Sequence, residues 1–204
     1  MNNLAKSIQL LEIIAKILLV CFYSVFVYTF AVHYLATHRM SSLLFMIVES
    51  IFAVIALTRR EPSEVSTSLY AWVIAFAGTI LPLFAEPTGT NDYALGQALQ
   101  IVGVVFQLCA IISLNRSFGL VAANRGIVTG GMYRFVRHPL YHSYFLGLTG
   151  FLINHFSFYN VFLLSVQLMC QLRRIKDEEG LLRKDPAYQN YMTKTPWRLL
   201  PLIY

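Results

Sequence analysis

Long apolar runs constrain this chain more than any other feature. Ile17 to Leu35 holds no acidic or basic residue except His33, and crossing roughly 30 Å of hydrocarbon as a helix takes about 20 such residues. Three further runs follow: Ser42 to Leu57, interrupted only by Glu49, then Leu69 to Ala85 and Tyr93 to Leu114, both without formal charge. The four runs predict four transmembrane helices. Composition agrees, because 57% of the 204 residues are hydrophobic and only 13% charged, whereas an ordinary soluble domain carries about a quarter charged residues. The expected fold class is all-α, a polytopic integral membrane protein.

A fifth apolar stretch, Leu140 to Leu172, is broken near "NHFSFYN" into two arms that look too short for independent spans. It predicts a helical hairpin that dips into the bilayer or just crosses it. Met1 to Lys16 lacks a small-residue cleavage site, which predicts a retained helix with an amphipathic lead-in. The useful division is between residues 1–114, the plain transmembrane helices, and residues 115–204, a polar loop, hairpin and tail. Both parts belong to one structural unit.

The net charge of +6 arises in the second part. Before Leu114 the five basic residues Lys6, Lys16, Arg39, Arg59 and Arg60 are outnumbered by six acids. Excess Lys and Arg marks cytoplasmic loops, so both termini and the loop from Arg116 to Arg137 are expected in the cytoplasm, with Glu86 and Asp92 on the opposite side. The membrane reading uses all these charges, and none is left to suggest nucleic acid. Cys21, Cys109 and Cys170 are isolated in apolar runs, with neither disulfide nor zinc spacing. They are expected to be buried thiols, and no metal is expected.

The chemistry-bearing residues lie late in the chain. "GMYRFVRHPLY" ends a Gly- and Asn-rich loop at Pro139, a good first helical residue with His138 at the cap. Arg134 and Arg137 beside a helix start make a candidate anion site. Tyr133, Tyr141 and Tyr144 can wall a pocket for a flat ring or soft cation, or can simply mark headgroup depth. In "RRIKDEEGLLRK", Leu172, Ile175, Glu179 and Leu182 share one helical seam, which puts a carboxylate on an apolar stripe. Glu178 lies one step around, with Arg174 four residues earlier as its expected ion-pair partner. In "KDPAYQNY", Asp185 can cap and Pro186 can start a last short helix.

Together "GMYRFVRHPLY", "RRIKDEEGLL" and "DPAYQNYMTKTPWRLLP" resemble the isoprenylcysteine carboxyl methyltransferase (ICMT) superfamily, which includes phospholipid N-methyltransferases. The resemblance covers about residues 95 to 201, and the bacterial branch, with "RSFG" before "ANRG", is most similar. Gly180 and Trp197 depart from the family pattern at places that bear on substrate choice.

The resemblance implies a membrane methyltransferase that uses S-adenosylmethionine on a lipid or lipidated acceptor. It implies that Tyr133, Arg137, His138, Pro139, Tyr141, Tyr144, Glu178 and Glu179 hold the cofactor, with Arg137 and the helix start meeting its carboxylate. Glu179, Arg116 and Arg198 are the candidate catalytic residues, the two arginines orienting the acceptor. Competing readings are a membrane reductase of the related sterol reductase group using NADPH, and a non-enzymatic membrane adaptor. The acceptor and the oligomeric state are not legible in the sequence.

Overall fold

The computed structural model describes residues 2–38, 40–86 and 93–203. The chain forms two compact units, Met1–Arg59 and Arg60–Tyr204, so the step in composition near residue 114 lies inside the second unit. Asp92 and Arg39 lie outside the described residues.

The first unit is a pair of helices, α1 (Asn2–Thr37) and α2 (Met40–Thr58). Leu19 and Tyr23 of α1 and Val48, Phe52 and Ala56 of α2 are buried, and the Tyr23 and Phe52 rings stack at 5.2 Å. Glu49 is buried as well, while Ile17, Leu18 and Val25 face outward.

The second unit contains α3 (Leu69–Ile80), α4 (Ala94–Leu114), α5 (Pro139–Asn154), α6 (Phe158–Leu182) and α7 (Pro186–Lys194). Ser68 caps α3, and Pro82 lies in the single 3-10 turn, Leu81–Phe84, that follows it. Antiparallel packing of α4 on α5 depends on small residues, which let two backbones approach closely. A Cβ at Gly96 would sit 2.3 Å from Asn154 Oδ1, and one at Gly103 would sit 2.7 Å from Gly147 N. α3 packs on α6 at Gly78, whose carbonyl accepts from Gln171 Nε2 at 3.0 Å.

Among the described residues two segments are long and apolar enough to cross a membrane, Lys16–Ala36 and Ala94–Ser117, so two of the four expected spans have that support. Two other expectations change. Of the hairpin arms, α5 is as short as its apolar part, with 16 residues, while α6 is longer than its apolar part suggests, with 25. α6 continues through the charged "RRIKDEEG" because its Ile175 and Glu179 stay buried. Only Cys170 is a buried thiol; Cys21 and Cys109 lie on exposed helix faces.

Among the described residues the strands are limited to one antiparallel pair, β1 (Glu64–Val65) with β2 (Ala123–Asn124). These two segments run side by side and satisfy one another's backbone groups. Lys184 meets Glu64, and Asn124 Nδ2 donates to Asp185 Oδ2 at 3.0 Å. The pair thereby ties the polar loop to the α6–α7 junction, where Asp185 caps α7 by accepting from Ala187 N.

Candidate functional site

Pro139 starts α5 as its residue type dictates, but His138 at the cap position makes no side-chain capping bond. Its ring turns to α6, with Nε2 3.3 Å from Glu179 Oε1. Arg137 points the same way, placing Nε 2.9 Å and Nη2 2.8 Å from that oxygen. The other carboxylate oxygen, Oε2, accepts from Arg198 Nε at 2.9 Å and from Arg183 Nη2 at 3.1 Å. Glu179 is 1% exposed. Burial works to raise its pKa, but the His138 hydrogen bond and charge, with those of Arg137, override that and hold it at about 2.

The C-terminal tail completes this hub. Arg137 Nη1 donates to the carbonyls of Thr195 at 2.9 Å and Pro196 at 2.6 Å. The backbone N–H groups of Arg137 and His138 donate to Trp197 O and Arg198 O at 2.9 and 2.8 Å. The tail therefore engages the Arg137 guanidinium and the N–H groups of Arg137 and His138.

Glu178 has different surroundings. It accepts from Tyr141 Oη at 3.2 Å. Arg174, its expected partner, instead directs Nη2 to Leu120 O at 2.9 Å and Nη1 to Gln171 Oε1 at 3.0 Å, and lies 5.3 Å from the centre of the Tyr141 ring. Tyr144 meets Tyr141 edge to face. Tyr133 is buried in a cluster with Tyr188 and Tyr191, and Tyr191 Oη donates to Tyr133 O at 2.6 Å. Burial, then the charge of Glu178, holds the Tyr133 phenol well above its usual pKa.

The structure thus brings Arg137, His138, Glu179 and Arg198 together, and Tyr141 with Glu178. Arg134 is exposed, whereas Arg137 is buried. Arg116 is exposed in the 3-10 turn Asn115–Ser117, with its carbonyl accepting from Arg60 N, and it is not among the partners of Glu179. Sequence reasoning passed over Arg183, although four-residue spacing from Glu179 on one helix signals it. It also passed over Tyr188. That hydroxyl is buried and has no hydrogen-bond partner among the described residues. Tyr188 and Tyr191 lie in the "DPAYQNYMTKTPWRLLP" stretch that carries the resemblance, which gives them no role.

Residues 96–184 match the isoprenylcysteine carboxyl methyltransferase (ICMT) family. No curated protein matches the chain. The matched segment runs from the first turn of α4 to the end of α6, and contains Tyr133, the Arg137–Pro139 junction, Tyr141, Tyr144 and both glutamates. The match over this segment supports membership of the ICMT/phospholipid methyltransferase superfamily.

Proposed function

We propose that the protein is a multi-pass membrane enzyme that transfers a methyl group from S-adenosylmethionine to a lipid or lipidated acceptor, with its basic loop and tail on the cytoplasmic side. The supporting observation is the division of labour between the two glutamates. Glu179 has both oxygens occupied by cations, whereas half-buried Glu178 accepts one phenol and keeps lone pairs to spare. The unpartnered Tyr188 hydroxyl belongs to the tyrosine cluster beside it, and burial followed by the charges of Glu179 and Glu178 raises its pKa. Orphaned buried polar groups are costly, and a ligand rich in hydroxyl and ammonium groups offers them partners.

In this reading Tyr133, Tyr141 and Tyr144 wall the cofactor site, and Glu178 accepts hydrogen bonds from ribose hydroxyls or the ammonium. Arg137, His138 and Pro139 shape its floor. When bound there, S-adenosylmethionine supplies a methyl carbon made electrophilic by the sulfonium. The protein orients the acceptor in line with that carbon and excludes water. Glu179, held ionised at about 2, is a poor proton acceptor and serves as a positioning anchor. An acceptor that is already an anion, such as a carboxylate, needs no base. Arg116 and the partly exposed Arg198 are the cations that would orient it.

This divides between Glu178 and Glu179 the cofactor role that the resemblance implied for both. Loss of a hydrogen bond to a charged group costs about 1.5–3 kcal/mol, or roughly ten- to a hundredfold in affinity. Glu178→Gln is therefore expected to weaken S-adenosylmethionine binding by that factor in a calorimetric titration in detergent, with the thermal melt unchanged. NADPH is expected not to bind. Binding of NADPH in place of S-adenosylmethionine would return the reductase reading, and unchanged affinity in Glu178→Gln would remove Glu178 from the site.

A further inference from the structure

The end of the second unit remote from Glu179 has its own chemistry. Asn160 Nδ2 donates to Glu86 O and His155 O, and its Oδ1 accepts from Glu86 N at 3.0 Å. Asn154 Oδ1 accepts from Tyr93 N at 3.0 Å, and Tyr159 Oη reaches Phe84 O at 3.2 Å. These bonds gather the α5–α6 turn, the turn after α3 and the start of α4 at one end of the unit. Around them the rings of Phe84, Tyr93, Phe156, Phe158, Tyr159 and Phe162 are all exposed, Phe158 to 87%. Lys and Arg are absent from the described residues between 75 and 115, and from 138 to 172.

The depth of that end follows from α4, the second unit's candidate span. α5 runs antiparallel to it, with Ser143 and Gly147 beside Gly103 and with Gly150 and Asn154 beside Gly96. α5 therefore ends within a turn of where α4 begins, at Ala94. Its 16 residues reach about 24 Å at 1.5 Å per residue, and the length it lacks relative to α4 is lost at the opposite end, where Arg137 and His138 are recessed. α6 returns alongside α3, from Asn160 beside Glu86 to Cys170 beside Gly78.

From this arrangement we infer that the α5–α6 hairpin crosses the bilayer completely, and that its tip, with Phe84 and Tyr93, forms an aromatic cap seated in the lipid headgroup interface opposite the Glu179 site. The occupant of this surface is phospholipid. Tyr and Trp favour that depth because one side of the ring is apolar and the other wet, and exposed Phe rings continue the cap toward the hydrocarbon. Buried Asn154 and Asn160 satisfy the backbone where the chain turns, as a chain reversing at membrane depth requires. The inference rests on the membrane reading proposed above, but not on the identity of the cofactor.

Single-cysteine labelling tests it. With Cys21, Cys109 and Cys170 replaced by Ala, Phe158→Cys and Lys194→Cys are treated with a membrane-impermeant maleimide in sealed vesicles of each orientation. Lys194, exposed in the last turn of α7, reports the side of the Glu179 site. The expected result is labelling of Phe158→Cys only from the side opposite Lys194→Cys. Labelling of both from one side would make the hairpin re-entrant and overturn the inference. So would labelling of Phe158→Cys only after detergent is added, which would place the tip in hydrocarbon. Carbonate extraction is run in parallel: release of the protein from the membrane would defeat the membrane reading itself, an outcome distinct from a re-entrant hairpin.

Discussion

The two ends of the second unit solve the same problem with different chemistry. Each buries polar side chains where the chain reverses, but the end bearing Asn154 and Asn160 uses neutral amides against backbone groups. The end bearing Glu179 uses a carboxylate and cations. A neutral amide needs only hydrogen-bond partners, and here backbone groups of the turn after α3 and of the start of α4 supply them. A buried carboxylate requires charge compensation, and here the cations come from three places: Arg137 ahead of α5, Arg183 one turn further along α6, and Arg198 in the tail. The ionic hub therefore ties the start of α5, the end of α6 and the tail together, at the cost of depending on its ionised partners.

The largest expected effect breaks the ionic end. Glu179→Gln leaves the buried guanidinium of Arg137 without its counter-charge, and removing one member of a buried pair typically costs about 3–5 kcal/mol. Thermal or denaturant unfolding in detergent should show a loss of that size. Acid gives a second view of the same group. The folded-state pKa of Glu179 is depressed to about 2, so its contribution is fully present above the ordinary carboxylate value, roughly 4.3, and is lost as the pH falls from there toward 2. Stability measured from pH 7 down to 3 should stay level, then fall, and the fall should be shallower in Glu179→Gln. An equally steep fall in that variant would place the acid sensitivity elsewhere.

The neutral end should respond less and without pH dependence. Asn160→Ala removes three hydrogen bonds and leaves the N–H and C=O of Glu86 and the carbonyl of His155 short of a partner. An orphaned buried polar group costs about 1–3 kcal/mol, so a loss in that range is expected, with S-adenosylmethionine affinity unchanged. Weakened binding in a folded Asn160→Ala protein would show that the two ends are coupled, and the comparison between them would fail.

The sequence made the ionic end partly visible and the neutral end hardly at all, for physical reasons. A carboxylate on an apolar helical stripe conflicts with its surroundings, and Glu179 was recognisable by that conflict before any contact was known. Its partners were less visible because Arg137 lies 42 residues away and the carbonyls of Thr195 and Pro196 carry no side-chain signal. Helical phase placed Glu179 inward but could not separate Glu178 from Arg174, since both lie near the same boundary and the preference of Arg174 for Leu120 O depends on the fold of a loop. Asn154 and Asn160 looked like ordinary breakers in "NHFSFYN". Gly96 and Gly103 lie in the uncharged run from Tyr93 to Leu114 and carry no signal of their own there, although their lack of a Cβ fixes how closely α4 meets α5.

The smallest expected effect sharpens the comparison from within the hub. Arg183 and Arg137 both bond Glu179, at 3.1 and 2.9 Å, but the Arg183 side chain is 49% exposed and that of Arg137 only 5%. If the number of partners governed the strength of the hub, Arg183→Gln and Arg137→Gln would be similarly harmful. If burial governs it, they should differ strongly, because water screens the exposed guanidinium and an exposed helical pair of this spacing contributes only about 0.3–0.5 kcal/mol. Arg183→Gln should therefore lower stability by no more than that, and the loss should shrink further as salt is raised. Arg137→Gln removes the buried guanidinium from Oε1 of the carboxylate and should approach the cost of Glu179→Gln. Unfolding of the three variants side by side at low and high salt would decide the matter. A loss from Arg183→Gln comparable to the other two, and insensitive to salt, would show that the carboxylate depends on all its cations equally, and that the exposed rim of the hub is as necessary as its core.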